Sequence, residues 1–335
     1  MKSSEWFEKK GGTTIRCTLC PHYCTIREGK TGICHVRSNE NGVLVSDNYG
    51  KLSAVHSDPI EKKPLYHYFP GSQIFSIGSV GCNLRCLFCQ NCEISQVPSV
   101  KSVMGLHTYE PGLVMEQSSA HPESIGIAYT YNEPTVWYEF MVDTALLAKN
   151  HGMKNVMVTN AFINAEPLER LLGVIDAFSV DIKGFTGDFY KKVTSSKLEP
   201  VKNAIRMISK SGRHMELVNL VIPGLNDNLK RFEEMVKWIA GETGKDTVLH
   251  LSRYYPMHRM HVEPTPASLL EELHEIASVY LNYVYIGNIN SSHSDTHCPV
   301  CSSLVITRRG YNVGNTGMDS NGCCKKCGTL VINHL

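Results

Sequence analysis

Thirteen cysteines fall into three tight groups, and none lies between Cys92 and Cys298. The first group is Cys17, Cys20, Cys24 and Cys34. The second is Cys82, Cys86, Cys89 and Cys92, and the third is Cys298, Cys301, Cys323, Cys324 and Cys327. Cysteines used as small core residues would be scattered, whereas grouping at ligand spacing predicts metal binding. The start of the chain, MKSSEWFEKKGG, lacks the apolar stretch of a signal peptide, and nowhere do about 18 apolar residues run together. A cytoplasmic protein with reduced thiols and no membrane span is therefore expected.

The cysteine-free centre alternates short β-branched runs with stretches of helical period. The runs are Ile74–Val80, Ile125–Thr130, Asn155–Thr159, Ala177–Ile182, Met215–Ile222, Thr247–Tyr254 and Tyr283–Gly287. Helices are expected over Val136–Asn150, Pro200–Ser211, Leu229–Gly241 and Pro266–Leu281. Such alternation predicts parallel pairing in an α/β fold. A full eight-stranded barrel typically takes about 250 residues, so the expectation is a partial, TIM-like (β/α)6 barrel over residues 73–290. Residues 1–72 are expected to form an N-terminal four-cysteine metal-binding segment, and residues 291–335 a C-terminal zinc-ribbon-like module. With 33 Lys+Arg against 32 Asp+Glu the net charge is +1, which weighs against a protein that binds nucleic acid mainly by phosphate attraction.

Polar residues collect where these strands end. Ile74–Val80 runs into GCNLRCLFCQN, Ile125–Thr130 into Asn132-Glu133-Pro134, Asn155–Thr159 into Asn160, and Ala177–Ile182 into Asp181-Ile182-Lys183. In parallel βα folds these ends converge on one mouth where ligands bind. Cys82, Cys86 and Cys89 lie in the first such loop. Three thiolates leave one iron of a [4Fe–4S] cluster open to another ligand, and Phe88 could shield it from water. Closure by Cys92 as a fourth ligand would instead make an electron-transfer centre.

The Cys82-x3-Cys86-x2-Cys89 motif, with an aromatic before its last cysteine and following the first strand of a β/α array, resembles the radical S-adenosylmethionine (radical SAM) superfamily. The resemblance implies a [4Fe–4S] cluster whose open iron binds S-adenosylmethionine and an enzyme that cleaves it to a 5′-deoxyadenosyl radical, which abstracts hydrogen from a substrate. The downstream residues resemble the branch of pyruvate formate-lyase activating enzyme. That likeness implies cofactor contacts by Asn132, Glu133, Thr159, Asn160, Asp181 and Lys183. An arginine of that branch falls near Val218–Asn219, placing Asn219 among the candidates, and its late histidine corresponds to His250 or Tyr254. Val158 replaces the branch's aspartate, which puts its monovalent-cation site in doubt.

Longer stretches, Cys17–Cys24, Gly29–Arg37, Asp58–Leu65, Gly81–Asn91 and Tyr129–Pro134, resemble the radical SAM enzyme of the AmmeMemoRadiSam system. That resemblance implies Memo-like and AMMECR1-like partner proteins and names no substrate. A flavodoxin or ferredoxin reductant is implied by resemblance alone. The Asp58–Lys63 segment could lie at the mouth or form a solvated loop.

Cys17, Cys20, Cys24 and Cys34 fit either a structural zinc ion or an auxiliary iron–sulfur cluster. Cys298, Cys301, Cys324 and Cys327 form a CxxC…CxxC zinc-ribbon pair; Cys323 could replace Cys324 only by giving up the knuckle with Cys327. Arg308 and Arg309 are expected at a solvated edge. The functional expectation is a radical SAM enzyme acting on an unidentified small molecule or protein. A glycyl-radical-enzyme activase is the alternative within that class. An iron–sulfur electron-transfer protein and a zinc-binding module without SAM chemistry are the alternatives outside it.

Overall fold

One sheet of eight strands, each beside its neighbours in sequence, runs through the centre of the computed structural model, which describes residues 2–335. Strand β1 (Ala54–Pro59) is antiparallel to β2 (Gln73–Gly78). From there the sheet is parallel: β3 (Ser124–Tyr129), β4 (Lys154–Thr159), β5 (Ala177–Asp181), β6 (His214–Val221), β7 (Val248–Arg253) and β8 (Val284–Gly287). Seven strands are thus parallel, one more than a (β/α)6 count, and the edge strand Val284–Gly287 falls in the expected run Tyr283–Gly287. Residues before position 73 also contribute, through β1. The α/β partial barrel itself stands as expected.

Helices α1 (Pro111–Ser119), α2 (Tyr138–Asn150), α3 (Ala165–Leu172), α4 (Leu198–Lys210), α5 (Leu229–Thr243) and α6 (Ala267–Ser278) fill the crossovers. In α4 the buried positions Leu198, Val201, Ala204, Ile205 and Ile208 make one stripe at helical spacing. They join Phe178, Val180 and Leu217 in the main apolar core. Among the described residues no helix is long and apolar enough to cross a membrane.

The other face of the sheet is filled differently. Ile60, Leu65 and Tyr68 pack on Ile74, Ala128, Val156 and Ala177, so the segment after β1 plugs the barrel from inside. Glu216, fully buried on that face, fixes the plug. Its carboxylate accepts from the backbone N–H groups of Tyr66 (2.9 Å) and His67 (2.7 Å), from His214 Nε2 (2.9 Å) and from His250 Nε2 (2.6 Å). Burial alone would raise its pKa, but the hydrogen bonds from His214 and His250 outweigh it and hold the carboxyl well below the usual range.

The C-terminal module seats on the base of the barrel. Val248 and Tyr283, at the starts of strands, share a core with Val305, Ile306, Val331 and Ile332. Arg308 is buried rather than solvated. Its guanidinium donates to Ser294 O (3.1 Å), Thr296 Oγ1 (2.7 Å) and Tyr66 O (2.8 Å) and lies 4.1 Å from the centre of the Tyr66 ring. Arg309 is the exposed member and pairs with Asp295 at 2.9 Å.

Arg308→Ala orphans three acceptors at this base and is expected to cost about 2 kcal/mol or more, whereas Arg309→Ala should stay within about 0.5 kcal/mol; thermal unfolding of both variants checks this. His67 is buried, which pushes its pKa from 6.5 down to about 3. The unfolded chain therefore takes up a proton there below pH 6.5 and the folded chain does not until about pH 3. Stability should fall with decreasing pH across that window by about 1.4 kcal/mol per pH unit from this group. The difference in slope between wild type and His67→Gln measures it.

Candidate functional site

Beyond β2 the chain turns at Gly81 and enters the loop carrying Cys82, Cys86 and Cys89. Gly81 has φ +88°, and a Cβ there would lie 2.6 Å from Val36 Cγ1 and 2.9 Å from the Cys34 carbonyl oxygen. Only glycine lets the N-terminal segment approach so closely. The loop backbone is tied down on several sides. Gly81 N donates to Ile94 O (2.8 Å), Arg85 N to Thr194 O (2.9 Å) and Leu87 N to Val193 O (3.0 Å), while Leu87 O accepts from Arg259 N (2.9 Å). Asn132 braces its start: Oδ1 accepts from Ser79 N (3.0 Å) and Nδ2 donates to Gly81 O (2.9 Å).

The expected site residues are partly brought together here. Glu133 is buried, and Oε1 accepts from Thr135 N (3.0 Å), Thr135 Oγ1 (2.6 Å) and Thr159 Oγ1 (2.8 Å), while Oε2 accepts from Asn160 N (2.8 Å). Burial still dominates and raises its pKa. Asn160 Nδ2 donates to Asn83 Oδ1 (3.0 Å) and approaches Cys82 Sγ (3.7 Å). Lys183 Nζ pairs with Asp181 at 3.0 Å and lies 5.7 Å from the centre of the Phe88 ring. Burial alone would lower the lysine pKa, but Asp181 and Cys86 outweigh it, so the ammonium form is held. Phe88 is buried, as a shield should be.

Two candidates stand apart. Asp181 pairs with Val218 in the β5–β6 register, so Asn219 points to the opposite face. There it donates to Ile182 O (2.7 Å) and lines a small cavity with Phe232 and Met235 of α5. His250 shares the layer of Asp181 and Val218, but its Nε2 is committed to Glu216 and its ring packs edge-on against Tyr66, 4.7 Å between centres. Cys92 opens a short helix, Cys92–Ser95, and is partly exposed.

The sequence reading missed Asn83, whose Nδ2 donates to Phe162 O (2.7 Å) and whose backbone carbonyl lies 2.7 Å from His22 Nε2. No spacing signal marks it. The Asp58–Lys63 segment is not a solvated loop: Asp58, Ile60, Glu61 and Lys63 are buried and only Lys62 is exposed. Asp58 pairs with Lys63 (2.6 Å) and Lys62 (2.7 Å) and accepts from the Tyr131 hydroxyl. Burial brings Lys63 down to about 8.

Burial pushes the Cys86 thiol up to about 12 and raises Cys82 and Cys89 as well. Three such thiols on one loop, near the partly buried Lys183, suit a cationic centre that favours their thiolates. In the C-terminal module the Sγ atoms of Cys298, Cys301, Cys324 and Cys327 all lie within 4.8 Å of one another and could hold a metal ion. Cys301 carries a thiol lowered to about 6, chiefly by its hydrogen bond with Ser303. Cys323 lies outside this group and bonds the Asn321 carbonyl. His297 is likewise outside it.

The model of the radical SAM superfamily matches residues 76–239. The chain belongs to the radical SAM superfamily. Membership makes it an enzyme and implies a [4Fe–4S] cluster and S-adenosylmethionine, for which the donor set of the Cys82–Cys89 loop is suited. An uncharacterized protein of Methanocaldococcus jannaschii is 41% identical over 99% of both chains. The pyruvate formate-lyase-activating enzyme of Streptococcus mutans is 26% identical, covering 56% of this chain and 72% of its own. Among solved structures, a radical SAM methyltransferase from Sphaerobacter thermophilus superposes with a TM-score of 0.50 at 14% identity, covering 66% of this chain and 67% of its own. SuiB of Streptococcus suis bound to S-adenosylmethionine gives a TM-score of 0.50 at 11% identity, over 69% and 53%. Both show likeness of fold alone.

Gly81→Ala is expected to force the N-terminal segment and the cysteine loop apart. Overpacking of this kind costs about 1–3 kcal/mol. Iron content after anaerobic reconstitution should fall relative to wild type, together with the unfolding temperature.

Proposed function

We propose that this radical SAM enzyme uses Cys82, Cys86 and Cys89 to hold its [4Fe–4S] cluster and acts within an AmmeMemoRadiSam-type system, with Memo-like and AMMECR1-like proteins as partners. The carrying observation is the convergence of the Cys82–Cys89 loop with Glu133, Asn160 and the Lys183–Asp181 pair at one mouth. Bound there, the cluster and S-adenosylmethionine would supply one-electron reductive cleavage of the cofactor and, through it, hydrogen abstraction from a substrate.

The chain's own residues hold and orient. Oε2 of Glu133 carries a single donor, so it keeps a lone pair for the amino group of the cofactor. Thr135, Thr159 and the Asn160 backbone fix that carboxylate in place. Asn160 also braces the cysteine loop through Asn83. Lys183 presents a positive charge beside Phe88 and Cys86, suited to the cofactor carboxylate, and the Phe88 ring keeps water out. Asn132 acts by holding the loop's entry. A reduced flavodoxin or ferredoxin is the proposed electron donor. Zinc at Cys298, Cys301, Cys324 and Cys327 would lock the C-terminal module onto the base, since four thiolates at this spacing suit a closed structural site.

The substrate is proposed to be a small molecule or protein other than a glycyl-radical enzyme, because activases of that branch usually lack both flanking cysteine modules. The names of two relatives favour the activase as a second reading: the Streptococcus enzyme and a (2S)-3-sulfopropanediol dehydratase activating enzyme of Klebsiella oxytoca, 23% identical over 36% of this chain.

Reconstituted anaerobically with S-adenosylmethionine and dithionite, wild type is expected to form 5′-deoxyadenosine, and Cys86→Ala none above background. Lys183→Ala should retain the cluster and lose about tenfold or more in product formation, the loss of one charge-assisted contact. Equal product from Cys86→Ala and wild type would sink the assignment. Stimulation by the partner proteins, rather than by a glycyl-radical enzyme, separates the two substrate readings.

A further inference from the structure

The turn that delivers Asn132 and Glu133 is built around a residue ill suited to it. Strand β3 ends at Tyr129, and Asn132 N donates back to Thr130 O (2.9 Å), so Tyr131 is the central residue of a three-residue turn. Its φ is +70°. That left-handed region is open to glycine and unfavourable for a bulky side chain, and a three-residue turn with positive φ at its centre is rare and strained. Such a conformation persists only where the surrounding groups over-determine it.

Tyr131 is held from several sides. Its backbone carbonyl accepts from Asn91 Nδ2 (2.6 Å), just beyond the cysteine loop. Its ring lies against Gly78 of β2, where a Cβ would come within 2.8 Å of Tyr131 Cδ2. Its hydroxyl donates to Asp58 Oδ2, which also accepts from Lys63 Nζ (2.6 Å), and the same ammonium lies 4.7 Å from the centre of the tyrosine ring. Lys62 Nζ donates to the other carboxylate oxygen (2.7 Å), and His56 meets the ring edge-on, 5.8 Å between centres. Burial alone would raise the Asp58 carboxyl, but the hydrogen bonds from Lys62, Lys63 and Tyr131 outweigh it and hold it below the usual range, so the acceptor stays ionised.

Asp58 and Lys63 are buried together, and a buried ion pair is weak evidence of stability, since apolar residues of the same volume often serve as well. The position of this pair is more telling. Lys63 belongs to the segment after β1 that plugs the barrel, and Tyr131 directly precedes Asn132 and Glu133. Asn132 spans the start of the cysteine loop, and Glu133 keeps a lone pair for the amino group of the cofactor. The plug thus reaches the cofactor turn through the Tyr131 side chain.

We infer that Tyr131 and the Asp58–Lys63 pair are positioning residues for S-adenosylmethionine, holding the turn in the conformation that aims Glu133 at the cofactor. The inference rests on the role proposed above for Glu133.

The test measures binding of radiolabelled S-adenosylmethionine to the reconstituted full chain by equilibrium dialysis, with the cluster left oxidised so that no cleavage occurs. Wild type is compared with Tyr131→Phe, Asp58→Asn, Asp58→Ala and Arg308→Ala. Tyr131→Phe keeps the ring and the backbone contacts and removes only the hydroxyl. It is expected to retain the iron content of wild type and to raise Kd about fivefold or more. Asp58→Asn keeps an acceptor for the hydroxyl and should bind more tightly than Asp58→Ala. Arg308→Ala loosens the base and not the turn, so it should lower the unfolding temperature and leave Kd unchanged. Equal Kd in Tyr131→Phe and wild type overturns the inference and leaves the cofactor reading standing. An equal rise in Arg308→Ala also overturns it, because general loosening would then account for the effect. A wild type of full iron content that binds no S-adenosylmethionine overturns the cofactor reading, and the inference with it.

Discussion

A single ionised carboxylate inside the barrel sets the shape of much that surrounds it. Glu216 is fully buried and could not stay charged there without compensation, because stripping a carboxylate of water costs several kcal/mol. Four donors supply that compensation, and two of them are backbone N–H groups of the plug. The plug is therefore held by its main chain, at one register, under β6. From that anchor Tyr66 reaches Arg308, which fastens the C-terminal module, and Tyr68 packs beside Phe69, whose N–H donates to His334 O near the end of the chain. The base of the barrel is closed by this chain of contacts, which leaves the opposite end as the place for chemistry.

The two ends use cysteine in different ways. At the base, knuckles Cys298–Cys301 and Cys324–Cys327 are followed by Ser302 and Gly328, both in the left-handed region, so that each turn aims its thiols at a common point. The module is small and its own apolar core is shared with the barrel floor, so a metal there would contribute folding energy that the segment lacks. At the mouth, Cys17 and Cys34 are part of the main core already, beside Ile15, Ile26 and Val36. That segment does not depend on a staple in the same way. Its four cysteines line a cavity whose wall also includes Asn83 of the Cys82–Cys89 loop.

Much of this was legible in sequence because it rests on local pattern. The apolar runs matched strands within a residue or two: Met215–Ile222 became His214–Val221, and Leu229–Gly241 became the helix Leu229–Thr243. The polar residues after the strands converged because a parallel sheet requires it, and Glu133, Asn160, Asp181 and Lys183 duly met near the cysteine loop. Asn219 did not, since one residue's difference in register decides the face of a strand and spacing alone could not fix it. Helices α1 and α3 escaped the reading for lack of a long apolar stripe, and Glu216 for another reason. A lone glutamate in HMELVNLV looks like a solvent-facing residue. Only the plug, whose Tyr66 lies 150 residues earlier in the chain, supplies the partners that let it turn inward.

Arg37 and Glu139 pose the last question of energetics. Both are buried, and a buried ion pair of this kind is often no more stable than well-packed apolar residues of the same volume. Fold stability alone therefore gives little reason for a pair that links the N-terminal segment to α2. The pair is also incomplete as a hydrogen-bonding unit, since the buried Nε of Arg37 has no partner. A guanidinium already neutralised by one carboxylate, yet still offering a donor, can lower the energy of added negative charge on neighbouring sulfur without binding it as a counter-ion. That property is of use beside thiolates, which carry negative charge whichever metal they hold, and Arg37 lines the same cavity as Cys17, Cys20, Cys24 and Cys34.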